Sequence, residues 1–125
     1  MIKFEQIKNI NFNDFKSLFD LTEKSSVYVI KKDELILGYG IIDISVDNSK
    51  YNYFNLYIKK EYRGNGYGNT LLSYLLEELK KIGVKSMYCY VNSKDLVIKR
   101  MLSKKFLKIS QDDDIVTYVT VLNDK

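Results

Sequence analysis

The sequence has no histidine and only one cysteine, Cys89, in its 125 residues. Without an imidazole there is no base of the Ser-His-Asp or Cys-His type, so these classes of nucleophilic catalysis are excluded. Zinc sites depend mainly on cysteine and histidine, so we predict that the protein holds no metal. A single cysteine excludes an internal disulfide framework. Because residues 84–91 have the pattern of a buried strand, we expect Cys89 to be a core residue and not a nucleophile.

Long apolar runs and extreme charge are also missing. No stretch of 18 apolar residues is present, so no transmembrane helix is expected, and the first residues lack the apolar run of a signal peptide. The net charge of +4 suits an anionic ligand but is too small to indicate a nucleic-acid partner. The length is typical of one domain, and repeats and linkers are absent. We therefore expect a single domain over residues 1–125, without membrane association and cytoplasmic.

A glycine-rich stretch in the middle of the chain, residues 63–69 (Arg-Gly-Asn-Gly-Tyr-Gly-Asn), is the strongest signal of a binding site. It follows a strand-like segment, residues 51–59, and precedes a helical pattern over residues 69–82. Glycines reach positive φ at little cost, so successive N–H groups can line one hollow, to which the helix N-terminus adds its own. The stretch predicts a phosphate or pyrophosphate site. A simple turn is the alternative, although a turn does not require three alternating glycines.

The helix after this stretch lacks acidic residues in its first turn, where they are usually favoured. An anion bound from outside would explain their absence. Its leucines, from Leu71 to Leu79, recur at helical spacing and are predicted to be core, and Gly83 suits the position after the last turn. Neither phosphate motif of nucleotide enzymes fits: no lysine follows the last glycine, as Walker A requires, and the glycine spacing differs from the dinucleotide fingerprint.

Hydrophobic periodicity along the chain predicts seven strands and three helices. The predicted strands are residues 2–8, 27–30, 35–46, 51–59, 84–91, 106–109 and 115–122. The predicted helices are residues 12–22, 69–82 and 94–104. For the last helix we predict a cap at Asn92 or Ser93. Its predicted inner face consists of Leu96, Val97, Met101 and Leu102.

These elements imply an α+β fold with a mixed sheet. The strand–helix–strand unit at residues 51–91 needs a right-handed crossover, which makes its two strands parallel. The other connections are short turns, such as those at residues 32–34 and 47–50, and predict antiparallel neighbours. We expect a mostly antiparallel sheet of about seven strands with a central parallel pair that splays to admit a ligand, and about three helices. Gly38 and Gly40 suggest a bulge or bend in the third strand.

With this order of elements, the chain resembles the GNAT superfamily of acyl-CoA-dependent N-acetyltransferases. The signature of that superfamily is (Gln/Arg)-x-x-Gly-x-(Gly/Ala), which Arg63, Gly66 and Gly68 match. The wider segment, residues 58–68, reads Ile-Lys-Lys-Glu-Tyr-Arg-Gly-Asn-Gly-Tyr-Gly, close to the family's common Val-x-Pro-x-x-Arg-Gly-x-Gly-x-Gly. The element order agrees from residue 2 to residue 122, so the resemblance covers essentially the whole chain.

The resemblance implies acetyl-CoA as co-substrate and a primary amine as acceptor, either a small amine or a peptide or protein amine. The backbone of Tyr57 and Ile58 would pair with the pantetheine arm, and the Ile58 N–H would polarise the thioester carbonyl. Asn92 would face the other side of that arm. Backbone N–H groups would hold the pyrophosphate of coenzyme A, those of Arg63, Gly64, Asn65, Gly66, Tyr67, Gly68 and Asn69.

The chain departs from the family pattern where proton transfer is concerned. Met101 stands where many members place a tyrosine general acid. A thiolate with a pKa of about 8.5 leaves with little proton help, which softens this loss. Residues 51–56 carry no carboxylate. The base that deprotonates the amine stays open between a water chain, Asp43 and a tyrosine such as Tyr90.

We therefore predict an N-acetyltransferase in which the amine attacks the thioester directly. The alternative is a degenerate member that binds acyl-CoA as a sensor or interaction module without turnover. A nucleic-acid-binding domain that uses the basic helix is a third reading. Residues 9–26 have room for about one helix where many relatives place two. Our hypothesis is an open acceptor side, which admits a peptide end or is closed by the second subunit of a homodimer.

A basic cluster follows the fifth strand. It is interpreted either as a solvated helix face or as a contact for the 3′-phosphate of the coenzyme or for an acidic partner. Its members are Lys99, Arg100, Lys104, Lys105 and Lys108.

Overall fold

The structure, a computed structural model, describes residues 1–19, 21, 22, 24–43 and 53–122. Within these residues the chain forms seven strands and two α-helices. The strands are β1 (Ile2–Ile7), β2 (Ser25–Lys32), β3 (Leu35–Asp43), β4 (Tyr53–Ile58), β5 (Ser86–Asn92), β6 (Leu107–Gln111) and β7 (Ile115–Val121). The helices are α1 (Tyr67–Lys81) and α2 (Leu96–Ser103). Two short 3-10 turns, Phe12–Asp14 and Lys60–Tyr62, complete the described elements.

The strands form one sheet in the order β1-β2-β3-β4-β5-β7-β6. Every neighbouring pair is antiparallel except β4 and β5, which are parallel. In the described residues these two strands pair at Tyr53 and Tyr88, near the start of β4 and in the middle of β5, and they separate towards their C-terminal ends. The predicted mixed sheet and its splayed central pair are both confirmed.

The sheet has two unequal faces. On one, which we call the helix face, alternate side chains of β4 pack against the leucine stripe of α1 and the inner side of α2. The predicted leucine core is confirmed, since Leu71, Leu72, Leu75 and Leu79 are all fully buried. On the other, which we call the opposite face, a smaller cluster joins two strands to the segment after β1. Its members are Phe15, Phe19, Val27 and Ile41.

The predicted helix over residues 12–22 is wrong. Its described residues form the 3-10 turn Phe12–Asp14 followed by further turns. The Asn11 side chain accepts a hydrogen bond from the Asn13 N–H at 3.0 Å, and short polar side chains of this kind compete with helix formation. The aromatic residues on which the prediction was based are partly buried, but they lie in turns. Phe15 and Phe19 pack in the cluster on the opposite face.

The second α-helix starts later than predicted. It spans Leu96–Ser103, and Asp95 is its N-cap, with a carboxylate oxygen that accepts from the Ile98 N–H at 3.1 Å. Neither Asn92 nor Ser93, the predicted caps, holds that position. Both precede the helix by three or more residues, too far to reach its first N–H groups.

The inner face of α2 also differs from the prediction. Met101 and Leu102 are buried as expected, and Ile98 packs against the same core. Leu96 and Val97, however, are 65% and 76% exposed. Ile98 precedes Met101 by three residues and Leu102 by four, so it lies at the centre of the inward side of α2. Val97 lies at the edge of that side, next to Met101, and Leu96 lies on the outer side.

Three predictions fall outside the described residues: the end of the strand at 35–46, the turn at 47–50 and the start of the strand at 51–59. Cys89 is buried, and burial raises the pKa of its thiol to about 12, as expected of a core residue. In the described part of the chain, neither helix has the length and apolarity needed to cross a membrane.

Two glycines in β3 let neighbouring elements approach closely. The β2–β3 register shifts beside Gly38, which confirms the predicted bulge. A Cβ on Gly38 would meet the carbonyl oxygen of Tyr57 and lie 3.0 Å from the Cα of Ile58, both backbone atoms of β4. A Cβ on Gly40 would meet the Cδ1 of Leu75 at 2.7 Å, the end of a side chain on α1. The end of β4 therefore depends on Gly38 having no side chain.

We expect Gly38→Ala to destabilise the protein more than Gly40→Ala. The first change pushes on backbone, which cannot rotate away, whereas the second pushes on a leucine branch that can change rotamer. We predict a loss of about 1–3 kcal/mol in the free energy of unfolding for Gly38→Ala and a smaller loss for Gly40→Ala. Urea denaturation of both variants measures the difference. Equal losses, or the reverse order, would contradict it.

Candidate functional site

A cavity of about 460 Å³ lies where β4 diverges from β5. The end of β4, the glycine-rich stretch, the start of α1 and one side of α2 line it. Most of the site residues predicted from the sequence meet here. They are Tyr57, Ile58, Arg63, Gly64, Gly66, Tyr67, Gly68 and Asn69.

The glycine-rich stretch presents a row of unpaired backbone donors. Gly64 and Gly66 have φ angles of 84° and 80°, the left-handed region that favours glycine. No N–H group from residue 64 to residue 69 donates to another residue that the structure describes; the first bond of α1 comes from the Thr70 N–H to the Gly66 carbonyl oxygen at 3.1 Å. The first turn of α1 holds no acidic residue. Unpaired donors of this kind beside the positive end of a helix are the features of an anion site.

Arg63 has a different role from its neighbours. We had predicted that its N–H binds the pyrophosphate together with those of residues 64–69. That N–H instead donates to the Lys60 carbonyl oxygen at 3.3 Å and is not one of the unpaired donors. Its side chain turns back, where Nε donates to the Ile58 carbonyl oxygen at 2.8 Å and the guanidinium lies 5.4 Å from the Tyr57 ring centre. Arg63 thus fastens the glycine-rich stretch to the end of β4.

The N–H group of Ile58 points into the gap between β4 and β5. The Lys59 N–H donates to the Leu37 carbonyl oxygen at 2.9 Å. Because bonding sides alternate along an antiparallel pair, Ile58, opposite Gly38, turns its N–H away from β3. Its carbonyl oxygen accepts from Arg63, and its N–H has no acceptor among the described residues.

The same alternation changes the predicted role of Tyr57. Tyr57 lies opposite Tyr39, and its backbone N–H and carbonyl are directed at β3. Its backbone groups are therefore directed away from the cavity, and the predicted pairing with a pantetheine arm stays a prediction for Ile58. Arg63 covers part of the Tyr57 ring, as a cation over an aromatic face.

One side of α2 closes the cavity with an apolar wall and two cations. Val97, Ile98 and Met101 supply the wall. A Cβ on Gly68 would lie 3.4 Å from the Met101 sulfur, so the two helices meet closely at this point. Val97 was predicted to be a core residue and was missed as a lining residue. It lies four residues before Met101 and so shares the side of α2 that lines the cavity, and this spacing was the signal that could have found it.

The predicted basic cluster divides into two groups. Lys99, Lys105 and Lys108 each donate to an oxygen of a neighbouring residue, at distances of 3.1, 2.9 and 3.2 Å. Arg100 and Lys104 instead line the cavity, and neither side chain has a hydrogen-bond or ion-pair partner among the described residues. They are one helical turn apart and so share a face of α2.

Two predicted cofactor residues lie apart from the cavity lining. Asn65 braces the glycine-rich stretch, since its side-chain amide donates to the Tyr62 carbonyl oxygen at 3.1 Å. Asn92 ends β5 and accepts from the Lys94 N–H at 2.9 Å. Neither belongs to the described lining of the cavity. Their contact with a coenzyme stays a prediction.

Among the groups considered for proton transfer, Met101 carries no exchangeable proton, and the structure places it at the cavity wall. Asp43, at the end of β3, is only 5% exposed, and neither of its carboxylate oxygens has a hydrogen-bond partner in the described structure. Tyr90 lies on β5 and is 51% exposed. Neither of these two residues lines the cavity among the residues described.

Solved structures share this architecture at low sequence identity. The ribosomal-protein-S18-alanine N-acetyltransferase of Escherichia coli superposes with a TM-score of 0.80 at 15% identity, over 100% of this chain and 96% of that one. An acetyl-CoA-bound GNAT family acetyltransferase of Elizabethkingia anophelis gives 0.78 at 14%, over 97% and 98%. Mutant forms of the spermidine/spermine N-acetyltransferase SpeG of Vibrio cholerae give 0.74 at 11%, over 98% and 95%.

These structural likenesses show the fold alone. No curated protein matches the sequence. The family model described as acetyltransferase (GNAT) family, however, matches residues 3–106. That match covers most of the chain and includes β4, the glycine-rich stretch and both helices. The chain therefore belongs to the acetyltransferase (GNAT) family.

Proposed function

We propose that this acetyltransferase transfers an acetyl group from acetyl-CoA to a primary amine and holds the coenzyme in the cavity beside β4. One observation carries the proposal. Residues 64 and 66–69, whose N–H groups have no acceptor among the described residues, line the same cavity as Ile58, whose N–H also has none there. Such a cavity has donors for a phosphate group at one end and a donor for a carbonyl oxygen at the other.

The glycine-rich stretch anchors the pyrophosphate. Six consecutive N–H groups at a helix N-terminus suit its anionic oxygens, and no acidic side chain in the first turn of α1 repels it. Arg100 and Lys104 add positive charge on the facing helix and suit the 3′-phosphate of the coenzyme. The apolar wall of Val97, Ile98 and Met101 suits the pantetheine arm between them.

The Ile58 N–H stabilises the charge that develops during transfer. As the amine nitrogen bonds to the thioester carbon, negative charge grows on the carbonyl oxygen, and a fixed backbone donor lowers that barrier; one such donor is typically worth about 10²–10³ in rate. The C–S bond then breaks and the thiolate leaves. With a pKa of about 8.5 for a thiol, departure needs little proton help, which fits Met101 in the cavity wall.

The acceptor reaches the thioester from the opposite face. Both α-helices cover the helix face, and the side chains of Tyr57 and Asn55 point the other way along β4. The names of the structural neighbours include a protein alanine and spermidine or spermine as acceptors. Both are amines, which supports an amine acceptor here. We propose further that this face is open, so that a peptide end enters it or a second subunit closes it.

The test combines binding with turnover. Purified protein is heated with and without 1 mM acetyl-CoA, and free thiol is then followed over a panel of small amines and peptides. We expect a raised melting temperature, since a ligand of the native state stabilises it, and amine-dependent thiol release. Stabilisation without release on any amine would favour the alternative, an acyl-CoA sensor. No stabilisation would contradict both.

Gly66 and Gly83 form a matched pair for testing the anion site. Both have positive φ, at 80° and 83°, and each flanks α1, with open space where a Cβ would be. Alanine at either position should therefore cost a similar amount of stability, about 1–2 kcal/mol. Only Gly66→Ala should also weaken acetyl-CoA binding. We expect a loss of affinity of about tenfold or more, which corresponds to roughly one charge-assisted hydrogen bond. Calorimetric titration of both variants checks this. Equal loss of affinity would contradict the assignment.

Arg100 and Lys104 are tested against dephospho-CoA, which lacks the 3′-phosphate. We expect Arg100→Gln and Lys104→Gln to weaken coenzyme A binding by roughly three- to tenfold, the range for a solvent-screened contact between charges. Their affinity for dephospho-CoA should stay unchanged. Lys105→Gln is the control, because its amine contacts Ser73 at 2.9 Å and not the cavity. An equal loss for both ligands would assign these cations to some other group.

A further inference from the structure

Among the residues that the structure describes, Asp43 is the one charged residue that is buried. It is 5% exposed, and neither of its carboxylate oxygens has a hydrogen-bond partner in the part of the chain that the structure describes. A buried carboxylate without a partner is costly, and proteins normally pair or bond such groups. The residue therefore points to a partner that binds from outside.

An organic cation fits this carboxylate better than an internal partner or a metal ion. No ion pair among the described residues includes Asp43. A metal ion needs several ligands, and the described residues contain no group of three or more acidic, histidine or cysteine side chains that could hold one. An ammonium is satisfied by one carboxylate and nearby hydroxyl groups, and Ser25 lies directly opposite on β2.

The position of Asp43 is on the acceptor side of the sheet. Side chains alternate along a strand, so Asp43 shares a face with Ile41, which belongs to the cluster on the opposite face. On β4, Asn55 and Tyr57 point to that same face. Asn55 is exposed and Ser25 is half-buried, so the surface beside the carboxylate is polar and open at Asn55.

Asp43 lies far from Ile58, the residue at which the proposed transfer takes place. Asp43 lies opposite Tyr53, and Ile58 is five residues further along β4, about 16 Å at the rise of a strand. A general base works within hydrogen-bond reach or through one water, so Asp43 does not receive the proton of the attacking amine directly. Allowing for side-chain reach and a hydrogen bond at each end, two amines on the order of 10 Å apart would span the sites.

We propose that Asp43 binds the distal ammonium of a dicationic amine acceptor whose other amine, in its neutral form, attacks the thioester at Ile58. The inference rests on the proposed function and narrows its acceptor to linear diamines and polyamines of that length. The carboxylate acts by binding: it selects and aligns the acceptor. Bond formation to the carbonyl carbon and departure of the thiolate proceed at the far amine.

The test compares 1,8-diaminooctane with octylamine, which matches its length but lacks the second charge, and with the shorter 1,4-diaminobutane. In the wild type we expect kcat/KM for diaminooctane to exceed that for each of the others by tenfold or more. Asp43→Asn should abolish this preference by raising KM for diaminooctane, because the change removes roughly one contact between charges. Octylamine turnover and acetyl-CoA affinity should stay within about twofold of the wild type, since neither uses that contact. Asp33→Asn, on the exposed β2–β3 hairpin, controls for the loss of one negative charge.

The outcomes that overturn the inference are specific. A wild type that shows no preference for the long diamine would do so, as would an Asp43→Asn variant that lowers octylamine and diaminooctane turnover equally. Should Asp43→Asn not fold, Asp43→Glu must keep the preference, because it keeps the charge. If no amine is acetylated, the proposed function fails, and diaminooctane is titrated into the coenzyme A-bound wild type and Asp43→Asn. Binding that the variant loses supports the role of Asp43, whereas equal binding or no binding overturns it.

Discussion

The separation of β4 from β5 is the feature on which the rest of the structure depends. Two parallel strands that stayed paired would bond their N–H groups to each other. Here they pair near Tyr53 and then part, so that the Ile58 N–H, at the edge of a cavity, has no acceptor among the described residues. The gap opens at the C-terminal ends of both strands, where the glycine-rich stretch and α1 begin. The place for a ligand and the donors for it thus arise from one departure from regular pairing.

This cavity works mainly through backbone groups. The sequence has no histidine and the cavity wall contains Met101, so the proposed reaction depends on fixed backbone N–H dipoles. Backbone donors are held by the fold and need little reorganisation as charge develops. Side chains have supporting tasks: Arg63 ties the glycine-rich stretch to the strand, and Gly38 allows β3 to lie against the backbone of β4. Because the thiolate is a good leaving group, the proposed transfer needs no side-chain acid to protonate it.

The two faces of the sheet divide stability from recognition. The helix face buries the leucines of α1 and most of the apolar core. The opposite face has a smaller cluster and retains Asp43, a buried carboxylate that lowers stability unless it is paired. Natural proteins accept such local costs mainly where a site needs them. The contrast between the faces explains why an acceptor would approach from the side with fewer apolar contacts.

Sequence alone determined the features that depend on neighbours along the chain. The glycine-rich stretch, the leucine stripe of α1 and the order of the strands follow from local spacing, because positive φ and helical periodicity are local properties. The prediction of a helix over residues 12–22 was wrong because it used aromatic spacing alone. That spacing is the same in a helix and in a series of turns stabilised by asparagine side chains. The tertiary structure alone decided which groups face the gap. The direction of the Ile58 N–H, the exposure of Val97, the separation of Arg100 and Lys104 from their basic neighbours and the burial of Asp43 all depend on pairing register and packing between residues far apart in sequence.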